Sequence, residues 1–279
     1  METIDLDALA EAASSLDPLP ASVIRLAAMV ASGDPDLTEI AEIVAYDQAL
    51  TVGLLRSANS SWSASRTPIT TVRDAIVRLG YGTVLSLALG VNVRRRMSRA
   101  LPAYGLAEGE LWRHSVAAAL TAENLPRHTK VRLPAEVVTA ALLHDVGKLV
   151  MTRFLDDEVI AVLSRAESES GMSRRRAETE LLGVHHGELG GMIVQAWGLP
   201  TSITEGISYH HDPDQHPTSL CYGVHIADVV AKSVGAGVDD NADPEANIRA
   251  LEALRMTPAD LDALRTVVAE RFEEVIERY

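Results

Sequence analysis

The chain has 279 residues, of which 47% are apolar and only 4% aromatic, and its formal net charge is −14. That acidity argues against a duplex-binding surface, and no apolar run approaches the roughly 20 residues of a membrane span. Cys221 is the sole cysteine, which excludes an internal disulfide framework and fits a reducing compartment. The segment Met1-Glu2-Thr3-Ile4-Asp5 lacks the layout of a signal peptide, so a cytoplasmic location is expected.

In chain order, Leu6 to Ser15 reads as a short helix broken by Leu16-Asp17-Pro18-Leu19-Pro20. Ala21 to Ala31 places Val23, Leu26, Ala27 and Val30 at helical spacing and stops at Gly33. Asp36 is an N-cap candidate, with Glu39 at the capping-box position and Ile40, Ile43 and Val44 on one apolar face. Leu50 to Ala58 continues the pattern and runs into Asn59-Ser60-Ser61, which with Trp62 reads equally as a groove or as a cap and loop. Val72, Ala75, Ile76 and Leu79 line a further helix closed by Gly80, and the almost wholly apolar Gly82 to Val93 is expected at the centre of a core. Nothing in this part has the spacing of strands.

Arg94 to Gly109 marks the expected boundary between an N-terminal helical part, residues 1–100, and a larger helical part, residues 101–279. Helices are expected over Glu110 to Glu123, from Pro134 to the pair His144-Asp145, over His186 to Trp197, Thr201 to His211 and Ser219 to Val234, and from Thr257 to the end. Asp156 to Ser170 and Arg174 to Leu182 read as surface helices, and Gly235 to Asp243 as a loop. Arg94-Arg95-Arg96 and Arg174-Arg175-Arg176 read as solvated helix ends. The fold class is all-α.

Chemistry concentrates in the second part, which holds His114, His144, Asp145, His185, His186, His210, His211 and Asp228. A histidine and a carboxylate leaving an apolar helix, and an aspartate inside Ile226-Ala227-Asp228-Val229, are costly to bury without compensation. Mixed imidazole and carboxylate ligands suit a divalent cation such as Mn²⁺, Fe²⁺, Ni²⁺ or Mg²⁺. So many ligands exceed the needs of one ion and would serve two, bridged by Asp145.

His114, then His144-Asp145, then Asp228 resembles the H…HD…D signature of the HD superfamily of metal-dependent phosphohydrolases. The resemblance implies that these four positions bind a first metal and that His186, His210 and His211 complete a second site, as in the two-metal HD-GYP branch. It also implies that Lys148, in His144-Asp145-Val146-Gly147-Lys148, points at a substrate phosphate, and that Glu110 can extend the site. The GYP element itself is missing after His211.

Across roughly residues 15 to 235 the chain is more similar to the HDOD domain. The landmarks are Leu16-Asp17-Pro18-Leu19-Pro20, Asp47-Gln48-Ala49-Leu50, Leu54-Leu55-Arg56-Ser57-Ala58-Asn59-Ser60 and Ala75-Ile76-Val77-Arg78-Leu79-Gly80, followed by Leu111-Trp112-Arg113-His114-Ser115 and Trp197-Gly198-Leu199-Pro200 through Tyr209-His210-His211. This likeness implies an HD-type bundle preceded by a smaller helical bundle, and a signalling or regulatory module in which metal ligands are often lost; here the set is complete. His185 stands where the family often has aspartate, so the inward residue of the pair is open, with His186 favoured by its spacing to Leu189, Ile193 and Trp197.

Two functional readings follow. One is a regulatory module that holds metal, binds a nucleotide or phosphate ligand and signals to protein partners in trans. The other is a phosphohydrolase or phosphodiesterase acting on a nucleotide or cyclic dinucleotide, with Asp145 bridging the ions and Lys148 neutralising phosphate charge.

Overall fold

The structure is a computed structural model and describes residues 11–12, 15–60, 67–236 and 244–276. Most of the expected first helix and the Ser61-Trp62 part of the expected groove lie outside the described residues. Among the described residues every regular element is a helix, apart from an isolated bridge between Leu101 and Leu106.

The N-terminal part comprises α1 (Ala21–Ala31), α2 (Leu37–Ala45), α3 (Gln48–Ala58), α4 (Val72–Leu79) and α5 (Tyr81–Met97). Their starts are set by local side chains. Asp36 accepts the amides of Thr38 and Glu39, Asp47 that of Leu50, and Thr71 that of Asp74. Gly80, at φ +79°, lets the chain bend by 110° between α4 and α5. The apolar α5 then runs through the interior, with Leu85, Leu89 and Val93 fully buried. It is the shared wall on which α1, α3 and α4 pack from one side and α6 and α7 from the other.

The second part comprises α6 (Glu110–Asn124), α7 (Val137–Leu143), α8 (Lys148–Met151), α9 (Asp157–Ser170), α10 (Arg174–Leu182), α11 (His186–Ala196), α12 (Thr201–Ser208), α13 (Ser219–Ala231), α14 (Pro244–Ala253) and α15 (Pro258–Ile276). All seven residues of α7 are buried, and the helix is enclosed by α5, α6, α12 and α13. The amphipathic α15 buries Leu261, Leu264, Val268 and Phe272 and lies along α6. The apolar core is continuous from Leu16 to Phe272 and crosses residue 100 without a break. Among the described residues no single helix is long and apolar enough to cross a membrane.

Three expectations change. Helix α10 is a surface helix on one side only: Arg176, Thr179 and Glu180 are exposed, but Arg174, Ala177, Glu178 and Leu182 are buried, because its inner face packs toward His186. Arg174 is therefore not a solvated helix end. Its guanidinium pairs with Glu167 at 2.9 Å and donates to the Ala103 carbonyl at 2.5 Å. Helix α12 ends at Ser208, three residues early, and this frees His210 and His211 to turn inward from a loop. Helix α14 was not foreseen.

Candidate metal centre

Five segments bring the candidate ligands together. His114 projects from the middle of α6, His144 and Asp145 occupy the turn between α7 and α8, and His186 opens α11. His210 and His211 follow α12, and Asp228 lies in α13. The turn can reach α11 only because Gly147 lacks a side chain: a Cβ there would sit 1.8 Å from the His186 carbonyl oxygen and 2.6 Å from the Gly190 nitrogen. Contact between two backbones, rather than side-chain packing, thus sets the spacing of Asp145 and His186.

The ligand atoms form two groups on opposite oxygens of Asp145. On the Oδ2 side, His114 Nε2 lies 3.0 Å from His144 Nε2 and 3.1 Å from Asp228 Oδ1, and both imidazoles are 3.5 Å from Asp145 Oδ2. On the Oδ1 side, His186 Nε2 lies 3.3 Å from Asp145 and 2.8 Å from His211 Nε2, with His210 in the same group. His114, His144 and His210 are wholly buried, and Asp145, His186 and Asp228 nearly so.

The tautomers follow from the partners of the other ring nitrogens. His114 Nδ1 donates to the Ala236 carbonyl, His144 Nδ1 to Ala141 and His210 Nδ1 to Ile207, each at 2.7 Å. A carbonyl only accepts, so each Nδ1 carries the proton, and each ring in its neutral form presents a bare Nε2 lone pair to the cluster. Lone pairs and carboxylate oxygens 3.0–3.5 Å apart repel one another unless a positive charge lies among them. His210 Nε2 is buried without a hydrogen-bond partner, a cost that a ligated ion removes. Ligands about 2.1 Å from an octahedral ion stand about 3.0 Å apart along an edge, so the observed spacings fit a divalent cation.

The protonation preferences suit metal ligands except at His144. Burial opposes a charge on His144, yet Asp145 and Asp228 outweigh it and hold the imidazole above the usual histidine value. Burial pushes His114 and His210 down. Asp145 is held well below the carboxylate range, despite burial, by Lys148 and the surrounding histidines. Asp228 is held down likewise, with Lys232 donating to its Oδ2 at 2.9 Å. Lys148 is itself buried: its ammonium donates to Asp145 Oδ2 at 2.8 Å and lies over the Tyr104 ring.

Residues 16–213 match the HDOD domain family. The chain belongs to the HDOD family. A curated relative, an uncharacterized protein of Treponema pallidum (strain Nichols), is 23% identical over 210 residues, which is 75% of this chain; the chain spans only 40% of that relative's length. Among solved structures, an HDOD domain protein of unknown function from Geobacter sulfurreducens is 24% identical, with a TM-score of 0.68 and coverage of 98% of this chain and 96% of that one. A protein from Shewanella amazonensis SB2B, provisionally named a phosphohydrolase, is 24% identical with a TM-score of 0.65, over 94% and 93% of the two chains. A protein from Marinobacter aquaeolei VT8, provisionally named for signal transduction, is 21% identical with a TM-score of 0.66, over 95% and 58%. The HDOD fold is shared throughout.

Of the pair left open by the sequence of this HDOD chain, His186 faces the cluster. His185 instead caps α11, accepting the Gly187 amide on Nδ1 at 3.1 Å while its own amide donates to Glu188. Burial and the neighbouring His186 push the His185 imidazole down to about 3. Glu110 is not brought to the cluster: it is exposed and accepts the Ala107 amide at 2.7 Å. The residue that sequence reasoning missed is Glu178. It accepts His186 Nδ1–H at 2.6 Å, the His186 amide at 2.9 Å and the Tyr104 hydroxyl at 2.8 Å. Burial is outweighed by His186 and these bonds, so Glu178 stays ionised and holds His186 with Nε2 bare.

Proposed function

We propose that this HDOD protein is a signal-transduction module built around a two-ion metal centre. One observation carries the reading: two groups of candidate ligand atoms lie on the two oxygens of one buried carboxylate, Asp145, whose Oδ2 also accepts from Lys148. His114, His144, Asp145 Oδ2 and Asp228 would hold one ion, and Asp145 Oδ1, His186, His210 and His211 the other. Divalent ions there would supply positive charge for binding phosphate oxygens and for acidifying a water. The centre is largely enclosed, with Lys148 on Asp145 and Tyr104 over Lys148 covering one side and only His211 partly exposed. A largely enclosed centre favours a regulatory role, in which metal sets the shape of the bundle and a protein partner reads it.

A second reading, a phosphohydrolase acting on a nucleotide or cyclic dinucleotide, draws on the Shewanella neighbour and on His211, the one ligand left partly exposed. Lys148 would then have to leave Asp145 to meet a phosphate. Elemental analysis of the purified, metal-supplemented chain should find about two divalent ions, none in Asp145→Ala and about one in His211→Ala. Folded wild type without bound ions would overturn the metal centre. Turnover of a phosphoester with Mn²⁺ that Asp145→Ala abolishes would move the assignment to the enzyme.

A further inference from the structure

A second feature lies on the other side of the metal-bearing helices. Helices α3, α5, α6 and α15 enclose a partly open cavity of about 390 Å³, with α7 at its base. That volume falls in the range of roughly 300–1,000 Å³ of small-molecule sites, which combine an apolar lining with a few placed polar groups. The floor is apolar: Leu50, Leu87, Trp112, Val116 and Leu142 line it. Two glycines keep the space open. A Cβ on Gly90 would press on the Trp112 ring at 3.3 Å, whereas one on Gly53 would meet nothing within 4 Å.

The charged groups at this cavity run against the character of the whole chain. The formal net charge is −14, yet three arginines, Arg56, Arg94 and Arg271, line the cavity against two glutamates, Glu123 and Glu274. Arg271 is committed to Glu123, at 3.1 Å. Arg94 on α5, Glu274 and Ser60 have interactions of their own, so Arg56 on α3, beside the Ser57 hydroxyl, is the cation that carries the argument. A guanidinium above an apolar floor suits a ligand with an anionic head and an apolar body.

We infer that this cavity is a binding site for a small amphipathic anion, an apolar molecule carrying one carboxylate, sulfonate or phosphate group. The site does not depend on the metal centre for its existence, but it shares two helices with it. Trp112 lies two residues before His114 on α6, and Leu142 two residues before His144 at the end of α7. Residues two apart on a helix face nearly opposite sides, so one face of each helix lines the cavity while the other carries a ligand. The location suits an input site for a signalling module.

The test uses the full chain and the dye anilinonaphthalene sulfonate, an aromatic anion that fluoresces in apolar surroundings. Wild type should bind the dye saturably at a single site. Gly53→Phe, which fills the cavity from a position with open space, should abolish binding while the circular dichroism spectrum and melting temperature are kept. Arg56→Gln, at an exposed position, should weaken it about tenfold. Decanoate should displace the dye and decanol should not at the same concentration. Dye binding unchanged in a folded Gly53→Phe chain, or unchanged in Arg56→Gln, would overturn the site. Equal displacement by decanol would overturn its preference for an anion.

Discussion

Alanine at Gly147 should be among the most damaging small substitutions in this chain, and the reason is geometric. The residue has φ −62° and ψ −27°, ordinary helical values that alanine adopts freely, so the local backbone gives no reason for glycine. The added methyl would, however, lie 1.8 Å from the His186 carbonyl oxygen, 2.6 Å from the Gly190 nitrogen and 2.8 Å from the His186 carbonyl carbon. All three are backbone atoms, so no rotamer change relieves the clash. Restoring ordinary contact at 3.4 Å requires the α7–α8 turn and α11 to part by about 1.6 Å. Overpacking typically costs about 1–3 kcal/mol, and a rigid neighbour on each side places this case at roughly 3 kcal/mol. The same change at Gly53, where a Cβ meets nothing within 4 Å, should instead stabilise by about 0.5–1 kcal/mol through helix propensity. Urea denaturation of both variants against wild type measures the pair. Gly147→Ala within about 0.5 kcal/mol of wild type would refute the backbone contact from which the site is built.

Other consequences can be checked with the same protein. Glu178→Gln keeps an acceptor for His186 Nδ1 but removes its charge, and should weaken metal binding about 10-fold or more in a competition titration. Lys148→Met leaves Asp145 buried beside fewer cations, and should cost about 3 kcal/mol in chelator-treated protein and clearly less once metal is restored. Equal losses in both states would show that Lys148 does not offset the charge an ion would offset. His185→Ala should cost about 1 kcal/mol as a lost helix cap, with metal content unchanged; a fall in metal content would make His185 a ligand.

The clustered histidines and aspartates, Glu110 apart, were legible because each stands out locally: an imidazole or carboxylate in an apolar helical run asks for compensation wherever it occurs. The helix starts at Asp36 and Thr257 were legible for the same reason, since a cap acts within three residues. Glu178 was not. It reads as one more acid in Arg174 to Leu182, and what makes it a partner of His186 and Tyr104 is the fold of α10 over the cluster, with Tyr104 lying 74 positions away in sequence. Composition alone does not separate His185 from His186, although the spacing of His186 to Leu189, Ile193 and Trp197 favours it as the inward residue. The helix start between them turns one into a cap and the other inward. The two halves expected around residue 100 share a core because α5, the most apolar stretch of the first, is buried by helices of the second.

The burial of the histidine and aspartate cluster carries a consequence about time. With His114 and His144 wholly enclosed and Lys148 and Tyr104 packed across Asp145, an ion held by His114, His144, Asp145 and Asp228 would leave no faster than the bundle opens around it. Exchange would then be governed by that opening, and intrinsic preference among first-row metals would have little chance to act after assembly. The metal carried would record which cation was abundant while the chain was folding.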